Sequence, residues 1–545
     1  ALTLTPMLCS RFLRLPQQPG PIHRALDAGF RGLERGYRWL LARALRWRWL
    51  TLALAAAITG VATLLLGQLG GEFVPEEDEG QFLVNLETPL GSSIDTTDDK
   101  LRAVEAILAD EPGVASYFTT IGLGDEGRVN EGTAFVRLEP RQTRERDQQA
   151  ISQSVQEELD TLSGARAFAA SVPLIPGQRG ESLQFNITGP ELGEVARLAE
   201  TLEERLRGSA IVDTLDLDLA LEQPQLELRV DRERARDQGI STRDVALAAN
   251  VLAGGTDVAR YNDEPGDGQR YDIRIKAPAD TLQSPDDLDK LFLRNEDGAM
   301  VRLDSLADFE TTVGPAVIGR YNLQYSAQFF ASPAVSLSQA VAAVEAEADE
   351  LLPRGYRLNL VGESEEFRDT QGAVAFVFLV AVILVYMVLA SQFNAFGQPV
   401  VILAALPLAM VGGVLGLWLF SHTLNIYSMI GLVLLVGLVT KNGILLVDLA
   451  NQYRQRYGMT INDALLDACP VRLRPILMTS LTLILAMLPA ALGLGAGSET
   501  QGPLAVAVIS GMASSMVLTL VVIPAAYSLL ENGIRRVTGN ARPGH

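Results

Sequence analysis

The chain has 545 residues, is 48% hydrophobic and carries a formal net charge of −20. That charge averages two opposite regions, because residues 71–370 contain 58 acidic and 28 basic side chains and the remainder contains 7 acidic and 17 basic. The length exceeds one ordinary domain, and the hydrophobic content is high for a soluble protein, with the apolar residues clustered. These features indicate one acidic soluble body attached to membrane helices with basic flanks.

The first 48 residues predict two membrane-associated segments. Residues 1–10 are apolar but too short to cross a bilayer, and we interpret them as the tail of a preceding span. Residues 11–48 carry nine arginines with apolar residues at helical spacing between them, which predicts an amphipathic helix on the cytoplasmic membrane surface. Cys9 and Cys469 suggest neither a disulfide nor a metal site.

Six apolar segments are long enough to span a bilayer, which needs about 20 residues. They are 50–69, 373–390, 399–420, 424–447, 476–496 and 503–530. Pro524 is expected to end or kink the last one. If the first span leaves the cytoplasm, residues 71–371 lie outside, and the basic clusters of the short loops lie inside, as the positive-inside rule requires. One predicted inner loop holds Arg454, Arg456, Arg472 and Arg474.

The outer body alternates strand-like and helix-like segments. Residues 81–162 begin a strand–helix–strand–strand–helix–strand series, which is the split βαβ pattern. A second cycle follows with predicted segments at 183–188, 191–206, 211–217 and 225–230. A longer excursion runs to about residue 312, and a helix and a strand then lead back to the membrane. The predicted fold class is therefore an α+β membrane protein.

Lys441 lies inside the fourth predicted span, and between residues 371 and 450 only Asp448 is also charged. A buried ammonium costs roughly 2.5–3.5 kcal/mol even on lenient insertion scales, and it usually faces a bundle interior or water path with an acidic partner. The alternative is a lysine that extends to the headgroups. Asp448 lies close to the inner end, and we interpret it as interfacial. Thr479 is predicted at a depth comparable to that of Lys441, with local bonding to a carbonyl one turn back as its alternative.

Motifs of the common enzyme classes are missing. The chain has no Walker P-loop, no GxGxxG after a strand, and no HExxH, GxSxG or CxxC motif. Its three histidines, His23, His422 and His545, are scattered. The sequence therefore argues against an enzyme, a zinc site and direct use of ATP, and it predicts no cofactor. Any pumping would draw on an ion gradient.

Four stretches resemble the resistance–nodulation–division (RND) transporters, and the resemblance covers nearly the entire chain. They are ALTLTPMLC at 1–9, FVPEEDEGQFLV at 73–84, GLVTKNGILLVDLA at 437–450 and RLRPILMTSLTLILAMLP at 472–489. The branch that they resemble most is the hydrophobe/amphiphile multidrug efflux pumps of Gram-negative bacteria. The resemblance implies a C-terminal half, with spans seven to twelve of a twelve-span protein in the inner membrane. It also implies a homotrimer that exchanges protons for drugs and works with a periplasmic adaptor and an outer-membrane channel.

The resemblance also implies a proton relay. Its lysine corresponds to Lys441, with Asn442 beside it, and its threonine and arginine correspond to Thr479 and Arg472. From the residues alone, Arg472 could equally be an interfacial anchor. The acidic pair of the family relay belongs to the other half. On this interpretation the chain alone does not couple protons to transport, and the N-terminal half is a required partner.

In the outer body, the resemblance implies two porter subdomains and a docking subdomain. The predicted bounds are 49–70 for the first span, 71–165 for one porter subdomain, 166–224 with 313–371 for the other, 225–312 for docking, 372–531 for five spans and 532–545 for a cytoplasmic tail. A switch loop corresponds to 121–130, where Leu123, Asp125 and Glu126 replace the phenylalanines of well-studied pumps. Substrate-binding positions are implied at Leu83, Phe118, Leu123, Phe135 and Phe168. For these residues, ordinary core packing is the alternative.

The predicted function is export of drugs or other amphiphilic small molecules from the periplasm or outer leaflet by proton antiport. The predicted partners include membrane lipid and exclude nucleic acid. A heavy-metal exporter of another RND branch is an alternative, although the outer body contains one methionine, Met300, and no histidine. A membrane-anchored binding or scaffold module is a second alternative, and it would have no use for a charge inside the membrane.

Overall fold

The structure is a computed structural model that describes residues 3–12, 21–75, 78–123, 127–173, 179–219, 221, 223–262, 266, 268–278, 287, 291–493 and 498–537. Within these residues, six helices are long and apolar enough to cross a membrane, and sheets lie between the first and the second of them. The prediction of a mixed helix-and-sheet protein with six apolar spans is confirmed at this level.

Three helices open the chain. They are α1 (Leu4–Phe12), α2 (Pro21–Arg46) and α3 (Arg48–Leu66). The predicted amphipathic helix thus begins later than residue 11, because residues 11 and 12 belong to α1. Part of that prediction, residues 13–20, lies outside the described residues.

The next six elements form one compact body, which we call the first unit. They are β1 (Gln81–Glu87), α4 (Ile94–Asp110), β2 (Val114–Ile121), β3 (Glu131–Leu138), α5 (Gln148–Leu159) and β4 (Arg166–Ser171). The side chains of Ser93 and Asp147 cap α4 and α5 by accepting backbone N–H groups. The antiparallel sheet has the order β2-β3-β1-β4, and one of its faces packs on the two helices.

This sheet corrects the predicted boundary at residue 166. Strand β4 pairs with β1, with Ala170 opposite Leu83, so it completes the first unit rather than opening the next subdomain. The boundary therefore moves beyond Ser171. Sequence spacing could not show this, because the paired residues are between 79 and 89 positions apart in the chain.

A second unit and an excursion from it follow. The elements are β5 (Leu183–Gly189), α6 (Leu192–Arg207), β6 (Val212–Asp218), β7 (Gln223–Val230), α7 (Arg232–Asp237), α8 (Thr242–Ala253), β8 (Thr256–Asn262), β9 (Arg270–Ile275), β10 (Phe292–Arg294), β11 (Met300–Arg302), β12 (Ala307–Gly314), β13 (Arg320–Tyr321), β14 (Gln324–Pro333), α9 (Leu337–Leu351) and β15 (Arg357–Leu360).

The second unit repeats the strand order of the first. Strand β14 pairs with β5 on one side and with β6 and β13 on the other, and β15 pairs with β5. The prediction that residues 225–230 belong to this cycle is wrong, because β7 pairs with β12 at the base of the excursion. The third strand of the cycle is β14, about a hundred residues further along the chain. The excursion accordingly spans Gln223 to Gly314, two residues more at each end than the predicted 225–312.

The apolar bundle contains the remaining helices. They are α10 (Gly362–Phe393), α11 (Gly397–Leu403), α12 (Ala405–Leu419), α13 (Ile426–Tyr457), α14 (Ile461–Ala491) and α15 (Ser498–Val537). The third predicted span is broken at Ala404 into α11 and α12. Helix α15 continues through Pro524, so that proline does not end it. Helix α14 ends at Ala491, earlier than the predicted residue 496.

The predicted inner loop is largely helical, which corrects the assignment of its four arginines. Helix α13 ends at Tyr457 and α14 begins at Ile461, so that only residues 458–460 separate them. Gly458 ends α13 with a left-handed backbone, φ 63°, which a glycine adopts without strain. Hydropathy missed these extensions because amphipathic turns beyond the membrane carry no continuous apolar run.

Helix α2 packs on the bundle through its apolar face. Tyr37, Leu41 and Leu45 are buried in the same core as residues of α13, α14 and α15, and the Tyr37 hydroxyl donates to the carbonyl of Leu520 at 2.8 Å. Most of the opposite face is exposed. The helix is therefore amphipathic, and its apolar side contacts protein. Its predicted place on the cytoplasmic membrane surface stays a prediction.

Candidate functional site

Lys441 lies near the middle of helix α13. It is the sixteenth of the 32 residues of α13, and its side chain is exposed on the surface of the bundle. It makes no hydrogen bond or ion pair with any residue that the structure describes. Neighbouring Asn442 faces inward, 2% exposed, and its Nδ2 has no hydrogen-bond partner among those residues. The bundle thus presents, halfway along a largely apolar helix, an ammonium without a partner among the described residues.

Helix α14 runs back beside α13 and carries the other two predicted relay residues. The Thr479 hydroxyl donates to the carbonyl of Ile476 at 3.2 Å, which is the local bond considered as its alternative. Arg472 is half-buried, and its Nε finds no partner within the described residues. Ser480, which was not predicted from the sequence, is fully buried, and its Oγ has no hydrogen-bond partner in the part of the chain that the structure describes. The sequence feature that could have identified Ser480 is a second hydroxyl residue directly after Thr479 in an apolar segment.

Asp448 is half-buried one helical turn before Gln452, whose amide donates to its carboxylate at 2.8 Å. Asp448 is thus bonded locally on its own helix. Toward the C-terminal end of α13, Arg454 pairs with Glu531 at 2.9 Å, and its guanidinium also donates to the hydroxyl of Tyr527. Asn451 joins the same cluster through Tyr527. This polar cluster ties α13 to α15, and sequence reasoning did not find it because its members are distant in the chain.

Arg474, just before the predicted fifth span, forms salt bridges with helix α2. Its guanidinium pairs with Asp27 at 3.0 Å and with Glu34 at 2.8 Å, both on α2. Arg38 of α2 in turn pairs with Asp467 of α14 at 2.7 Å. Arg474 therefore anchors α2 to α14, and it is separate from the candidate relay residues.

Four of the five predicted substrate-binding residues share one face of the first unit's sheet, which we call the aromatic face. Phe118, Phe135 and Leu83 lie side by side on adjacent strands, and Phe168 pairs with Asn85 one step along. The rings of Phe118 and Phe135 are 6.3 Å apart. This face carries no helix, because α4 and α5 cover the other one.

Exposure decides between the two interpretations of these aromatics. Phe118 is 66% exposed and Phe135 is 41% exposed, so ordinary core packing is wrong for both in this chain. Leu83 and Phe168 are half-buried. Leu123 is exposed just beyond the end of β2, whereas Asp125 and Glu126 of the predicted switch loop lie outside the described residues.

A cleft of about 550 Å³ lies between the two units, and we call it the inter-unit cleft. Its apolar lining includes Phe73, Val172, Val335 and Leu337. Among the described residues that line it, five are acidic and one is basic. These are Glu72, Glu79, Asp213, Glu363 and Glu366, and Arg179. The cleft combines apolar surface with excess negative charge, which suits an amphiphilic ligand.

Arg179, which the sequence analysis missed, lies where the inter-unit cleft meets the aromatic face. Its guanidinium carbon is 5.2 Å from the ring centre of Phe168 in the first unit and 4.2 Å from that of Phe330 in the second. It also pairs with Asp216 at 2.8 Å and Glu181 at 3.3 Å. Burial raises the pKa of Glu181, and the neighbouring Arg179 offsets only part of that effect.

Metal chemistry has no evident place in the part of the chain that the structure describes. Within those ranges, no group of three or more histidine, cysteine, aspartate or glutamate side chains could hold a metal ion. Cys469 is buried and Cys9 is exposed, and both are free thiols.

Comparison with known proteins identifies relatives over nearly the whole chain. The chain is 31% identical over 549 residues to the toluene efflux pump membrane transporter TtgB of Pseudomonas putida, covering 96% of this chain and 51% of that protein. It is 30% identical over 554 residues to the multidrug resistance protein MdtC of Erwinia tasmaniensis, covering 98% and 52%. It is also 28% identical over 538 residues to an uncharacterized transporter of Haemophilus influenzae, covering 97% and 52%.

The chain spans about half the length of the curated relatives it matches. A family model described as the AcrB/AcrD/AcrF family matches residues 1–531. The resemblance to RND efflux transporters drawn from the sequence is thereby confirmed. The chain belongs to the AcrB/AcrD/AcrF family.

Proposed function

We propose that this chain is the C-terminal half of a proton-coupled inner-membrane exporter of drugs and other amphiphilic molecules. The observation that carries the proposal is Lys441, a charged side chain halfway along an apolar helix, exposed on the bundle surface and unpaired among the described residues. A lone ammonium in a bilayer is costly, so a carboxylate from outside this chain is expected to cover it. Protonation of such a pair can then be linked to helix movement.

The other relay candidates support Lys441 from the same pair of helices. Asn442, Arg472 and Ser480 each keep a buried polar atom without a partner among the described residues, which is unusual in a folded protein. We infer that these groups, with Thr479, bond to water or to side chains of the other half when the two halves are together. Such bonds would provide a polar route through an otherwise apolar bundle.

The proposed substrate route lies in the two units, which we place in the periplasm as porter subdomains. The inter-unit cleft supplies an entrance with apolar and acidic walls, and the aromatic face supplies rings against which an apolar ligand can stack. Leu83, Phe118, Leu123, Phe135 and Phe168 are the proposed contact residues. The excursion between β7 and β12 is the proposed docking subdomain.

The proposed assembly follows from family membership and from the chain's share of its relatives' length. We infer a homotrimer in which each protomer includes the N-terminal half, together with a periplasmic adaptor and an outer-membrane channel. We infer that lipid and the other half cover the large exposed apolar faces of α3 and α10.

Substitution of Lys441 in the intact transporter tests this function. Lys441→Ala is expected to reduce drug resistance of the host cell to that of a strain without the transporter, because the relay loses its only ammonium. Minimal inhibitory concentrations measure the effect, with expression and trimer formation checked in parallel. Lys100→Ala, at a half-buried lysine of the first unit that donates to the carbonyl of Ser163, is the matched control and should keep full resistance. Full resistance with Lys441→Ala would exclude the relay.

A further inference from the structure

Helix α2 directs its acidic side chains toward the bundle and leaves basic ones on its outer side. Its only two acidic residues, Asp27 and Glu34, pair with an arginine of α14 at 3.0 and 2.8 Å. On the outer side, Arg35, Arg43 and Arg46 are exposed, and none of them forms an ion pair with a residue that the structure describes. We call the surface formed by these three arginines the basic face. Its positive charge is not balanced by this part of the chain.

Helical spacing places the basic face opposite the buried side of α2. Residues 43 and 46 follow residue 35 by eight and eleven positions, which brings all three to one side of an α-helix. The side chains that pack on the bundle, Tyr37, Leu41 and Leu45, occupy the other side. Because this apolar side is already in contact with protein, it is not available to enter a membrane as in an ordinary interfacial helix. Contact with a partner outside the chain is left to the side that includes the basic face.

Exposed tryptophans lie beside the basic face. Three of the chain's four tryptophans, Trp39, Trp47 and Trp49, lie near this end of α2 or at the start of α3, and they are 51–73% exposed. The guanidinium carbon of Arg43 is 5.6 Å from the ring centre of Trp47, so the ring helps to orient this cation. Exposed indoles are typical of the headgroup layer of a membrane. This surface therefore favours a lipid headgroup as its partner.

Chain continuity sets the depth of this end of α2. Helix α3 begins at Arg48, two residues after Arg46, and it is long and apolar enough to cross a membrane. The first residues of a span lie where the hydrocarbon ends and the headgroups begin. Arg43 and Arg46 lie within two helical turns of that boundary, so their guanidinium groups are within reach of lipid phosphates.

We propose that the basic face of α2 is a binding site for the phosphate groups of anionic phospholipids, with Arg43 and Arg46 as its main contacts. Guanidinium groups donate to phosphate oxygens in a planar arrangement that an ammonium lacks. An anionic headgroup brings a net negative charge that balances the basic face, whereas a zwitterionic headgroup brings its own cation. This proposal goes beyond export and does not rest on proton coupling.

Competition between two lipids beside the tryptophans tests the proposal. The purified full chain is reconstituted in bilayers of phosphatidylglycerol, which is anionic, and phosphatidylcholine, which is zwitterionic. One of the two lipids at a time carries bromine atoms that quench tryptophan fluorescence. Because three of the four tryptophans lie beside the basic face, quenching reports mainly the lipids bound there. We expect phosphatidylglycerol to be preferred about tenfold. Equal binding of the two lipids would overturn the proposal.

Substitution of the two arginines assigns this preference to the basic face. Arg43→Gln combined with Arg46→Gln is expected to reduce the preference for phosphatidylglycerol to less than about twofold, because the charges that select the anionic lipid are removed. An undiminished preference would contradict the proposal. Arg43→Lys combined with Arg46→Lys keeps both charges and should keep a preference of about fivefold. A loss as large as that of the glutamine variant would contradict a site that selects lipids by charge.

Arg38→Gln is the matched control on the same helix. Arg38 is exposed, but its guanidinium pairs with Asp467 at 2.7 Å, so it is already engaged within the chain. The lipid preference should change less than about twofold. A loss equal to that of the double glutamine variant would show that the preference follows the total charge of the region, and the proposal would be wrong.

Failure of the proposed function gives a different result. Lys441 lies in the bundle, on α13, and Lys441→Ala removes no charge from the basic face. Loss of the exporter role would therefore appear in transport with Lys441 variants, whereas loss of the lipid site would appear in lipid preference with Arg43 and Arg46 variants.

Discussion

The two units share one strand order but differ in the second face of their sheets. In the second unit the face turned away from the helices is polar and closed: Gln184, Asn186 and Thr188 are each 2–3% exposed. The Asn359 amide donates to Asn186 at 2.9 Å and to Thr188 at 3.1 Å, so these polar groups are bonded. In the first unit the corresponding face carries Phe118 and Phe135 and is open.

The shared topology therefore does not determine the role of the sheet face that is turned away from the helices. A closed face with bonded polar groups holds the second unit to its surroundings, including the first turn of α10, where Ser364 accepts the Gln184 N–H at 2.8 Å. An open face of large apolar side chains is a feature of interaction sites. The aromatic face is therefore the candidate for ligand contact, although both units use the same scaffold.

The largest expected difference in stability is between the loss of a core aromatic ring in the second unit and the loss of an exposed aromatic ring in the first. Phe329 is fully buried and stacks on Phe185 with ring centres 4.6 Å apart. Phe329→Ala should destabilise the second unit by about 3–5 kcal/mol. Phe118→Ala should leave stability nearly unchanged and weaken binding of a neutral amphiphilic dye. Hydrogen exchange and dye titration of the full chain measure the two effects. Strong destabilisation by Phe118→Ala would show that its ring is a core element.

An intermediate effect is expected from the polar groups on the same two faces. Asn359→Ala removes the donor shared by Asn186 and Thr188 and leaves buried oxygens unbonded, which should cost about 1–3 kcal/mol. On the aromatic face of the first unit, Asn85 is half-buried and accepts a long hydrogen bond from Thr133 at 3.4 Å. Asn85→Ala should change the protection of first-unit amides less. Equal losses would remove the distinction between an open and a closed face.

The smallest expected effect is a pH dependence at the edge of the closed face. Burial raises the pKa of Glu181 above its ordinary value, so the folded second unit holds that proton more tightly than the unfolded chain does. The resulting stability is complete below the unfolded pKa, about 4.3, and is lost as the pH rises through the raised folded pKa. Glu181→Gln should therefore be as stable as the unmodified chain near pH 4 and more stable near pH 7.

Hydrogen exchange of second-unit peptides across this pH range measures the Glu181 effect. Glu350→Gln on α9, at a side chain that is 76% exposed, is the control and should give no difference at either pH. A stability gain for Glu181→Gln that is largest at low pH would reverse the sign and contradict the assignment of burial as the cause.

Sequence-based prediction succeeded where the signal was local. Apolar runs predicted the six long helices, and strand-like segments predicted three of the four strands of the first unit. A lone charge in an apolar run drew attention to Lys441, whose role stays a prediction. Prediction failed where the answer depended on pairing between distant segments, as with β4 on β1 and β14 on β5. Arg179 could not have been predicted, because its rings and carboxylates come from four segments that meet only in the folded chain. The relay assignments remain predictions. For the proposed substrate-binding residues the structure gives the exposure of the side chains, and their contact with substrate remains a prediction.

The most direct test of the exporter account is proton flux driven by substrate. The intact transporter is reconstituted into vesicles with a pH-sensitive dye inside, a pH gradient is applied, and an amphiphilic substrate is added. We predict that substrate increases proton flux through the unmodified transporter and that Lys441→Ala reduces the flux to that of empty vesicles. Undiminished substrate-dependent flux in Lys441→Ala would contradict the account.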